Sequence, residues 1–294
     1  MLLSGSALGR QAALQALEPT KLVSPQDTAK PAAASTFSYP AGVAVATDGS
    51  LYVVDTDNLE VKKISPSGNL STLANQGFTY PTGVAVDAAG TVYVADAGSR
   101  SIKKVSPAGE VSTLAEHGLA YPAGVAVAAD GTVYVADAGR EPNTGVILKI
   151  APNGHLSTLA RGFNKPNGVA VAADGTVYVA DTDNNSIKKI SPSGEVSALT
   201  GVSLNHPHGV AIAANGAVYI ADTYDNSVQK IDATGTTPLA SGFTYPAGVA
   251  VDATGTVYVT DTGHSALKKI GPTGEVSTLA AGPADAASGL SVRK

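Results

Sequence analysis

One short phrase, Pro-x-Gly-Val, occurs six times at nearly equal spacing, and this repetition restricts the possible folds more than any other feature of the chain. The copies begin at Pro40, Pro81, Pro122, Pro166, Pro207 and Pro246. Successive copies are therefore 41, 41, 44, 41 and 39 residues apart. A repeat of about 40 residues is typical both of propeller blades and of helical repeats, so the choice depends on whether one copy forms strands or helices.

The fourth copy, residues 166–200, predicts strands. In it, "GVAVA" is followed by an Asp174-Gly175 turn and then by "TVYVAD", a pattern typical of a β-hairpin. "SIKKI" follows a polar loop, and "SPSG" turns the chain into "EVSAL". These turn residues would interrupt a helix several times, whereas the β-branched and aromatic residues between them favour four short strands.

Side-chain alternation indicates how the strands are buried. In the first strand Val169 and Val171 alternate with Ala170 and Ala172, so both faces are apolar, while the third and fourth strands are half polar. One such sheet cannot bury two apolar faces alone, but a closed ring of sheets can. We therefore predict an all-β, six-bladed β-propeller with four antiparallel strands per blade over residues 36–282. A β-solenoid is the alternative, although its coils are usually shorter than this period.

The copies also resemble a known repeat family. "GVAVDAAGTVYVADAGSRSIKKVSPAGEVSTLA", residues 83–115, closely resembles an NHL repeat, and the other five copies resemble it almost as well. The resemblance implies a six-bladed propeller and leaves the activity open. NHL propellers serve as sensor domains of receptor kinases, as protein- or RNA-binding ends of larger proteins, and occasionally as lyases or hydrolases. The resemblance favours an extracellular or periplasmic location, but the first 20 residues lack the basic start of a signal peptide.

The two ends of the chain differ from the repeats. Residues 1–35 are predicted to be an N-terminal extension or linker, in which "SALGRQAALQAL" favours a short helix and "KPAAAST" is typical of a linker. Residues 283–294 are predicted to be a C-terminal tail. Either "TKLVS" or "GLSVR" is a candidate for an extra strand that helps to close the ring.

Composition argues against several classes of partner. The net charge is -5, and a nucleic-acid binder needs clustered cations. No apolar run reaches the roughly 20 residues needed to span a bilayer. The chain has no cysteine, which excludes disulfides, thiol catalysis and thiolate metal sites. We expect a monomer that neither binds nucleic acid nor inserts into a membrane.

Departures from the repeat fall mostly on one face of the predicted ring. Because strands alternate in direction, the loops after the second strands and the links between blades share a face, which we call the top face. The third copy has a four-residue insertion there, the Tyr-Pro-x-Gly phrase changes in the fourth and fifth copies, and the loops of the fifth and sixth copies carry unusual residues. The resulting candidate ligand-binding residues are Arg140, Lys165, Asn167, His206, His208, Tyr224 and His264.

The NHL resemblance implies that the residue between Pro and Gly lies close to the ring axis. These residues are Ala41, Thr82, Ala123, Asn167, His208 and Ala247. His208 and Asn167 are then the two large polar groups at a crowded entrance. His208 has three interpretations: a bond to a channel water or a backbone carbonyl, contact with a ligand, or a metal ligand. His206 replaces a repeated tyrosine and is expected to pack like one.

Metal binding at the axis has precedents among propellers but little support here. Peptide-amidating lyases hold zinc near the axis with histidines, and a catalytic zinc needs about three protein ligands. Only His208 occupies an inner position in this chain. Lactonase-like propellers hold a cation with Glu, Asn and Asp, and no glutamate lies near these inner strands. Streptogramin-inactivating lyases share the architecture only, since their tryptophan is absent here. We expect no cofactor, with a divalent cation in the central tunnel as the alternative.

Two repeated sets of charged residues are interpreted as structural. An aspartate ends the second strand of every copy and is expected to accept hydrogen bonds from backbone amides of its own following loop. These residues are Asp55, Asp96, Asp137, Asp181, Asp222 and Asp261. Lysine pairs recur on the third strands and are expected to form a solvated rim. They are Lys62-Lys63, Lys103-Lys104, Lys188-Lys189 and Lys268-Lys269.

Three functional hypotheses remain open. The first is a non-catalytic binding or scaffold module that recognises a protein or a small polar or glycan ligand on the top face. The second is a lyase or hydrolase that uses His208 as a base or metal ligand. The third is a purely structural repeat array. No catalytic residue is assigned, because near-identical repeats do not supply the asymmetric set of groups that catalysis needs.

Overall fold

The computed structural model describes residues 36–282, which form six four-stranded antiparallel sheets. In every sheet the four strands are neighbours in chain order. The six-bladed propeller is therefore confirmed, with four strands per blade. Residues 1–35 and 283–294 lie outside the described residues, so the predicted extension, tail and extra closing strand stay predictions.

Each blade begins at its copy of the repeated proline and ends on an outer strand. The innermost strands are Pro40–Val45, Pro81–Val86, Pro122–Val127, Pro166–Val171, Pro207–Ile212 and Pro246–Val251. The second strands are Leu51–Asp55, Val92–Asp96, Val133–Asp137, Val177–Asp181, Val218–Asp222 and Val257–Asp261. The third strands are Glu60–Ile64, Ser101–Val105, Gly145–Ile150, Ser186–Ile190, Ser227–Asp232 and Ala266–Ile270. The outermost strands are Leu70–Ala74, Val111–Ala115, Leu156–Phe163, Val196–Ala198, Gly235–Ser241 and Val276–Ala281.

The hydrophobic core lies between blades rather than at one centre. One cluster joins Tyr52 and Val54 of blade one to Val84, Val92 and Val94 of blade two. Equivalent clusters fill the other interfaces. The second strand of blade two is buried along its whole length because a neighbouring blade covers each face. Burial of both faces explains why these strands are apolar before the final aspartate, with Thr260 of blade six as the one polar position.

The repeated glycine lets the innermost strands approach one another closely. A Cβ atom added to Gly83 would lie 2.6 Å from the carbonyl oxygen of Ala123 in the next blade. One added to Gly42 would lie 2.7 Å from the carbonyl oxygen of Thr82. Both obstacles are backbone atoms, which cannot rotate away. The glycine of Pro-x-Gly-Val is therefore required by the packing of inner strands around the axis.

The ring closes with a threonine hydrogen bond that also joins three of its other interfaces. Thr182 Oγ1 donates to the carbonyl of Pro207 across the interface of blades four and five, at 2.8 Å. Thr262 Oγ1 donates to the carbonyl of Pro40 across the closing interface, at 2.7 Å. Apolar residues of blades six and one also pack together, including Leu267.

The repeated aspartates are structural, but their partners differ from the prediction. Asp55 accepts from the backbone amide of Ser38 at 2.7 Å, and Asp181 accepts from that of Asn164 at 2.7 Å. Each donor belongs to the segment that enters the blade, not to the loop after the aspartate. The reason is strand register: Pro40 pairs with Asp55, so the amides just before the proline lie beside the carboxylate. Of the six strand-ending aspartates, all of which lie within residues 36–282, only Asp137 also accepts from a backbone amide of the loop that follows it, that of Gly139 at 3.0 Å.

The prediction of a solvated lysine rim is wrong for the first lysine of two pairs. Lys62 is 3% exposed, and its ammonium nitrogen lies 3.2 Å from Asp55 Oδ2. Lys268 makes the corresponding ion pair with Asp261. These side chains point inward, where each ammonium supplies a counter-charge to a buried carboxylate. The second lysine of a pair lies over a tyrosine ring instead, as Lys63 does over Tyr52 at 5.4 Å from the ring centroid.

Helical structure is limited to two short turns in the described part of the chain, Thr182–Asn184 and Thr262–His264. No helix there is long and apolar enough to cross a membrane.

Candidate functional site

The innermost strands surround an axial cavity of about 270 Å³. The residue between Pro and Gly lines this cavity in all six blades, as the NHL resemblance implies. The Thr82 hydroxyl donates a hydrogen bond to the carbonyl of Ala123 at 2.9 Å, so this donor already has a partner within the protein. Asn167 and His208 are the two larger polar side chains at this level.

A second cavity of about 720 Å³ opens on the top face beside the axis. It shares four lining residues with the axial cavity, namely Tyr121, Ala123, Asn167 and His208. Six of the seven candidate residues line it: Arg140, Lys165, Asn167, His206, His208 and Tyr224. The structure therefore brings together side chains from three blades that the sequence singled out separately. Their binding of a ligand stays a prediction.

His264 does not belong to this group. Its Nδ1 lies 2.8 Å from Asp261 Oδ2, and its Nε2 lies 3.3 Å from Thr244 Oγ1. The residue three positions after the strand-ending aspartate also binds that carboxylate in blade four, where Asn184 donates at 2.8 Å. The His264 side chain therefore makes its hydrogen bonds within blade six and does not line the top cavity.

The side wall of the top cavity is aromatic. The rings of His206 and Tyr224 stack with centroids 4.2 Å apart, as expected for a histidine in the place of a tyrosine. His206 Nε2 lies 3.7 Å from Asp183 Oδ1. The amide of His206 donates to Asn185 Oδ1 at 2.8 Å, and this bond supports its left-handed backbone, with φ of 52°. His206 is therefore held by its neighbours on the blade-four side.

His208 is held in the neutral state. Burial lowers its pKa from 6.5 to about 4, and the nearby His206 adds to the decrease. Neither ring nitrogen has a hydrogen-bond partner among residues 36–282, and this argues against the interpretation of a bond to a backbone carbonyl. Near neutral pH the imidazole therefore offers one donor and one acceptor to a molecule in the cavity.

The charges around the top cavity are predominantly positive. Arg100, Arg140 and Lys165 line it, and Asp183 is the one carboxylate in its described lining. The sequence comparison missed Arg100 because blade two otherwise follows the repeat. A signal existed, since equivalent loops carry Leu59, Asn185, Asn226 or Ser265 at this left-handed position.

Exposed tyrosines surround the mouth of the axial cavity. Tyr39, Tyr80 and Tyr121 line it and are 40 to 49% exposed. Partial burial raises the pKa of Tyr39, and the phenols of Tyr80 and Tyr224 add to the rise. The sequence comparison missed them because it searched for departures from the repeat, and this tyrosine is part of the repeat.

Metal ligands are sparse at this end of the molecule. Within residues 36–282, no three His, Asp or Glu side chains stand close enough together to hold an ion. The axial lining offers only the amide of Asn167 and the imidazole of His208 as strong side-chain donors. The predicted absence of a cofactor is not tested by this observation.

Two family patterns match the sequence. That of the SMP-30/Gluconolactonase/LRE-like region matches residues 43–240, and that of the NHL repeat matches residues 243–270. Together they span all six blades. No curated protein sequence matches the chain closely enough to count as a relative.

Solved structures with three different roles share this fold. A gluconolactonase from Xanthomonas campestris is 18% identical, with a TM-score of 0.69 over 83% of this chain and 87% of that one. A streptogramin B lyase is 16% identical, with a TM-score of 0.64 over 84% and 85%. A chain of a nidogen/laminin complex is 18% identical, with a TM-score of 0.70 over 80% and 93%. At such low identity the likeness shows the fold alone.

Proposed function

Since the chain belongs to the SMP-30/gluconolactonase/LRE-like family, we propose that it is a propeller that binds a small, negatively charged polar ligand in the top cavity without transforming it. The observation that carries this proposal is the lining of the cavity of about 720 Å³, where three cationic side chains face one carboxylate.

The cavity suits a small molecule better than a protein surface. Its volume lies within the range of roughly 300 to 1,000 Å³ that is typical of small-molecule sites. Arg100, Arg140 and Lys165 favour a carboxylate or phosphate group, since charge-assisted hydrogen bonds are stronger than neutral ones. Tyr121 and the stacked pair of His206 and Tyr224 offer flat surfaces to a sugar ring or an aromatic ring.

The divalent cation that lactonase-like propellers hold on the axis does not fit this chain. Calcium takes six to eight oxygen ligands, and carboxylates dominate among them. The residues that line the axial cavity include no carboxylate and supply one side-chain amide, from Asn167, with one imidazole, from His208. We therefore derive no step through an axial metal.

The second candidate is a hydrolase or lyase in which His208 acts as a base. Family membership and the gluconolactonase fold favour it. The low pKa of His208 opposes this candidate, because a general base works best when its pKa lies near the operating pH. With its pKa lowered to about 4, His208 is neutral at pH 7 but a weak acceptor of protons. Binding is therefore the better supported of the two functions.

Calorimetry with small anions tests the proposal. The probes are glucuronate and glucose 6-phosphate, with glucose as the neutral comparison. We expect the anions to bind, and Arg140→Ala or Lys165→Ala to weaken binding about tenfold or more, because each removes one charged hydrogen bond. Arg161→Ala is the matched control, since Arg161 is exposed and its guanidinium donates to Thr158 outside the cavity.

Two results would contradict binding of an anion in this cavity. One is affinity for glucose equal to that for the anions. The other is unchanged anion affinity in both cavity variants. Turnover of a δ-lactone that is lost in His208→Ala would establish the enzymatic candidate instead.

A further inference from the structure

The six strand-ending aspartates differ in how fully they are paired. In blades one to four and in blade six, both carboxylate oxygens accept a hydrogen bond. Asp96, for example, accepts from the Tyr80 amide at 2.7 Å and from the Ser99 hydroxyl at 2.6 Å. Asp222 of blade five is the exception among the described residues. Its Oδ1 accepts from the Asn205 amide at 2.7 Å, but its Oδ2 is buried without a partner.

Blade five lacks the cation that two other blades place beside this carboxylate. In blade one the Lys62 ammonium lies 3.2 Å from Asp55 Oδ2 and donates to the carbonyl of Thr36 at 2.9 Å. In blade six Lys268 pairs with Asp261 and donates to the carbonyl of Gly242 at 3.2 Å. Strand pairing aligns Gln229 with these lysines. Its amide donates to Ser227 Oγ at 3.2 Å instead.

Blade five also lacks the neutral donor that other blades supply three residues after the aspartate. In blades one and four, Asn58 and Asn184 donate to the Oδ2 atom at 2.9 and 2.8 Å. The corresponding residue in blade five is Asp225, which carries a second negative charge. Its Oδ1 accepts from the side-chain amide of Asn205 at 2.9 Å. Compared with blade one, blade five therefore has a glutamine in place of the lysine and an aspartate in place of the asparagine. In the described part of the chain, its two carboxylates have no positive charge beside them.

We propose that blade five binds a calcium ion between Asp222 Oδ2 and the Asp225 carboxylate, where a lysine ammonium stands in blades one and six. In blades one and six, the lysine ammonium groups occupy the place that we assign to the calcium ion in blade five. They show that this place in the blade fold accepts a positive charge between a carboxylate oxygen and a backbone carbonyl. The matching carbonyl in blade five is that of Ser203, two residues before Asn205.

The ligand chemistry favours calcium over magnesium. Two carboxylates, carbonyl oxygens and water form the oxygen-rich, irregular set that calcium accepts, whereas magnesium demands a nearly ideal octahedron. Asp225 is exposed and gives the ion a path from solvent, while Asp222 is fully buried. Burial also raises the pKa of Asp222 to about 6, and the Asp225 carboxylate adds to the rise.

Thermal unfolding of the whole chain in calcium chloride tests this proposal, with buffer treated with a chelator and ionic strength held constant. Sites with few carboxylates bind calcium with a Kd on the order of 10⁻⁴ to 10⁻³ M. A hundredfold excess of free calcium over the Kd should therefore raise Tm by about 5 °C or more. Magnesium should raise it less.

Two variants copied from sister blades provide the decisive comparison. Gln229→Lys restores the lysine of blades one and six, and Asp225→Asn restores the asparagine of blades one and four. Both should raise Tm without calcium and abolish the calcium-dependent rise, because each fills or neutralises the site. Asp57→Asn removes an exposed carboxylate from the equivalent loop of blade one and should leave the calcium response intact.

An unchanged Tm of the original chain in calcium overturns the proposal. So does a calcium-dependent rise that persists in both Gln229→Lys and Asp225→Asn. A stabilisation that follows only acidification, with no response to calcium, would show that a proton rather than a metal ion satisfies Asp222. None of these outcomes depends on whether the top cavity binds an anion.

Discussion

Acidification from pH 7 to pH 4.5 should remove a stabilising contribution that one side chain, His208, makes to the propeller. Burial lowers its pKa to about 4 in the folded chain, against 6.5 in an exposed reference state. Between these two values the unfolded chain binds more protons than the folded chain. The free energy of unfolding therefore falls as the pH falls through this window, and the contribution is constant above pH 6.5.

The size of the effect follows from the two pKa values. At pH 4.5 the reference histidine is almost fully protonated, whereas the buried one is about one quarter protonated. The linkage relation then gives a loss of about 2 kcal/mol between pH 7 and pH 4.5. For a domain of this size, that loss taken alone corresponds to a decrease in Tm of about 4 to 8 °C. Asp222 acts in the opposite sense because its pKa is raised, so the absolute pH profile mixes both effects.

A difference between two proteins isolates the histidine. His208→Ala installs the residue that blades three and six carry at this position, Ala123 and Ala247. Urea denaturation at several pH values should show that the original chain loses about 2 kcal/mol more than the variant between pH 7 and pH 4.5. Contributions from Asp222 and other groups common to both proteins cancel. Asn167→Ala changes a neighbouring ring position without a titrating group and should keep the original pH dependence.

Parallel pH profiles for the original chain and His208→Ala would refute this reasoning. They would mean that His208 is as easily protonated in the folded state as in the unfolded one, through water or through movement of Asp183 and His206, its titratable neighbours. His208 would then be basic enough to act as a general base. A hydrolase or lyase that uses His208 as a base would then be favoured again.

Two further predictions concern the ring itself. Gly83→Ala should lower the free energy of unfolding by about 2 to 3 kcal/mol in urea denaturation, because its Cβ meets backbone of the next blade; Gly154→Ala, in an open turn with positive φ, should cost only about 1 kcal/mol. Thr262→Val should cost about 1 to 3 kcal/mol because it leaves the carbonyl of Pro40 without its donor. If ring closure equals the other interfaces in strength, Thr182→Val should cost the same, and a clearly smaller loss for Thr262→Val would contradict that equality.

The fold was predictable from this sequence because its determinants are local and repeated six times. Two apolar faces on the strands around Val169 require neighbours on both sides, and only a ring of blades supplies them to every copy. The inner glycine is also visible in the sequence, since it recurs two residues after the proline in each copy. The confirmed division of each blade into four strands follows from the turn residues that separate the strands in the sequence.

The partners of charged groups were less predictable because strand register brings them together across distances in sequence. Asp55 binds an amide 17 residues earlier, and Lys62 turns inward to the same carboxylate. Pattern alone shows that Lys62 and Lys63 alternate, but it does not show which one points inward. The position of His264 in a top loop predicts that it lies in the site. Its spacing of three residues from Asp261 is the same as that of Asn184 from Asp181, and this spacing favours a bond to the aspartate instead.

The near identity of the blades makes each departure interpretable, because five sister copies define what the position normally does. Tyr224 and Asp225 are adjacent in one loop, yet they face different surroundings: Tyr224 stacks on His206 in the top cavity, and Asp225 bonds Asn205 near the buried Asp222. Arg140 and Lys165 lie on other blades and leave Asp222 untouched, whereas Gln229→Lys alters Asp222 without entering the cavity lining. The proposed anion site and the proposed calcium site therefore rest on separate residues, and the loss of one would leave the observations behind the other unchanged.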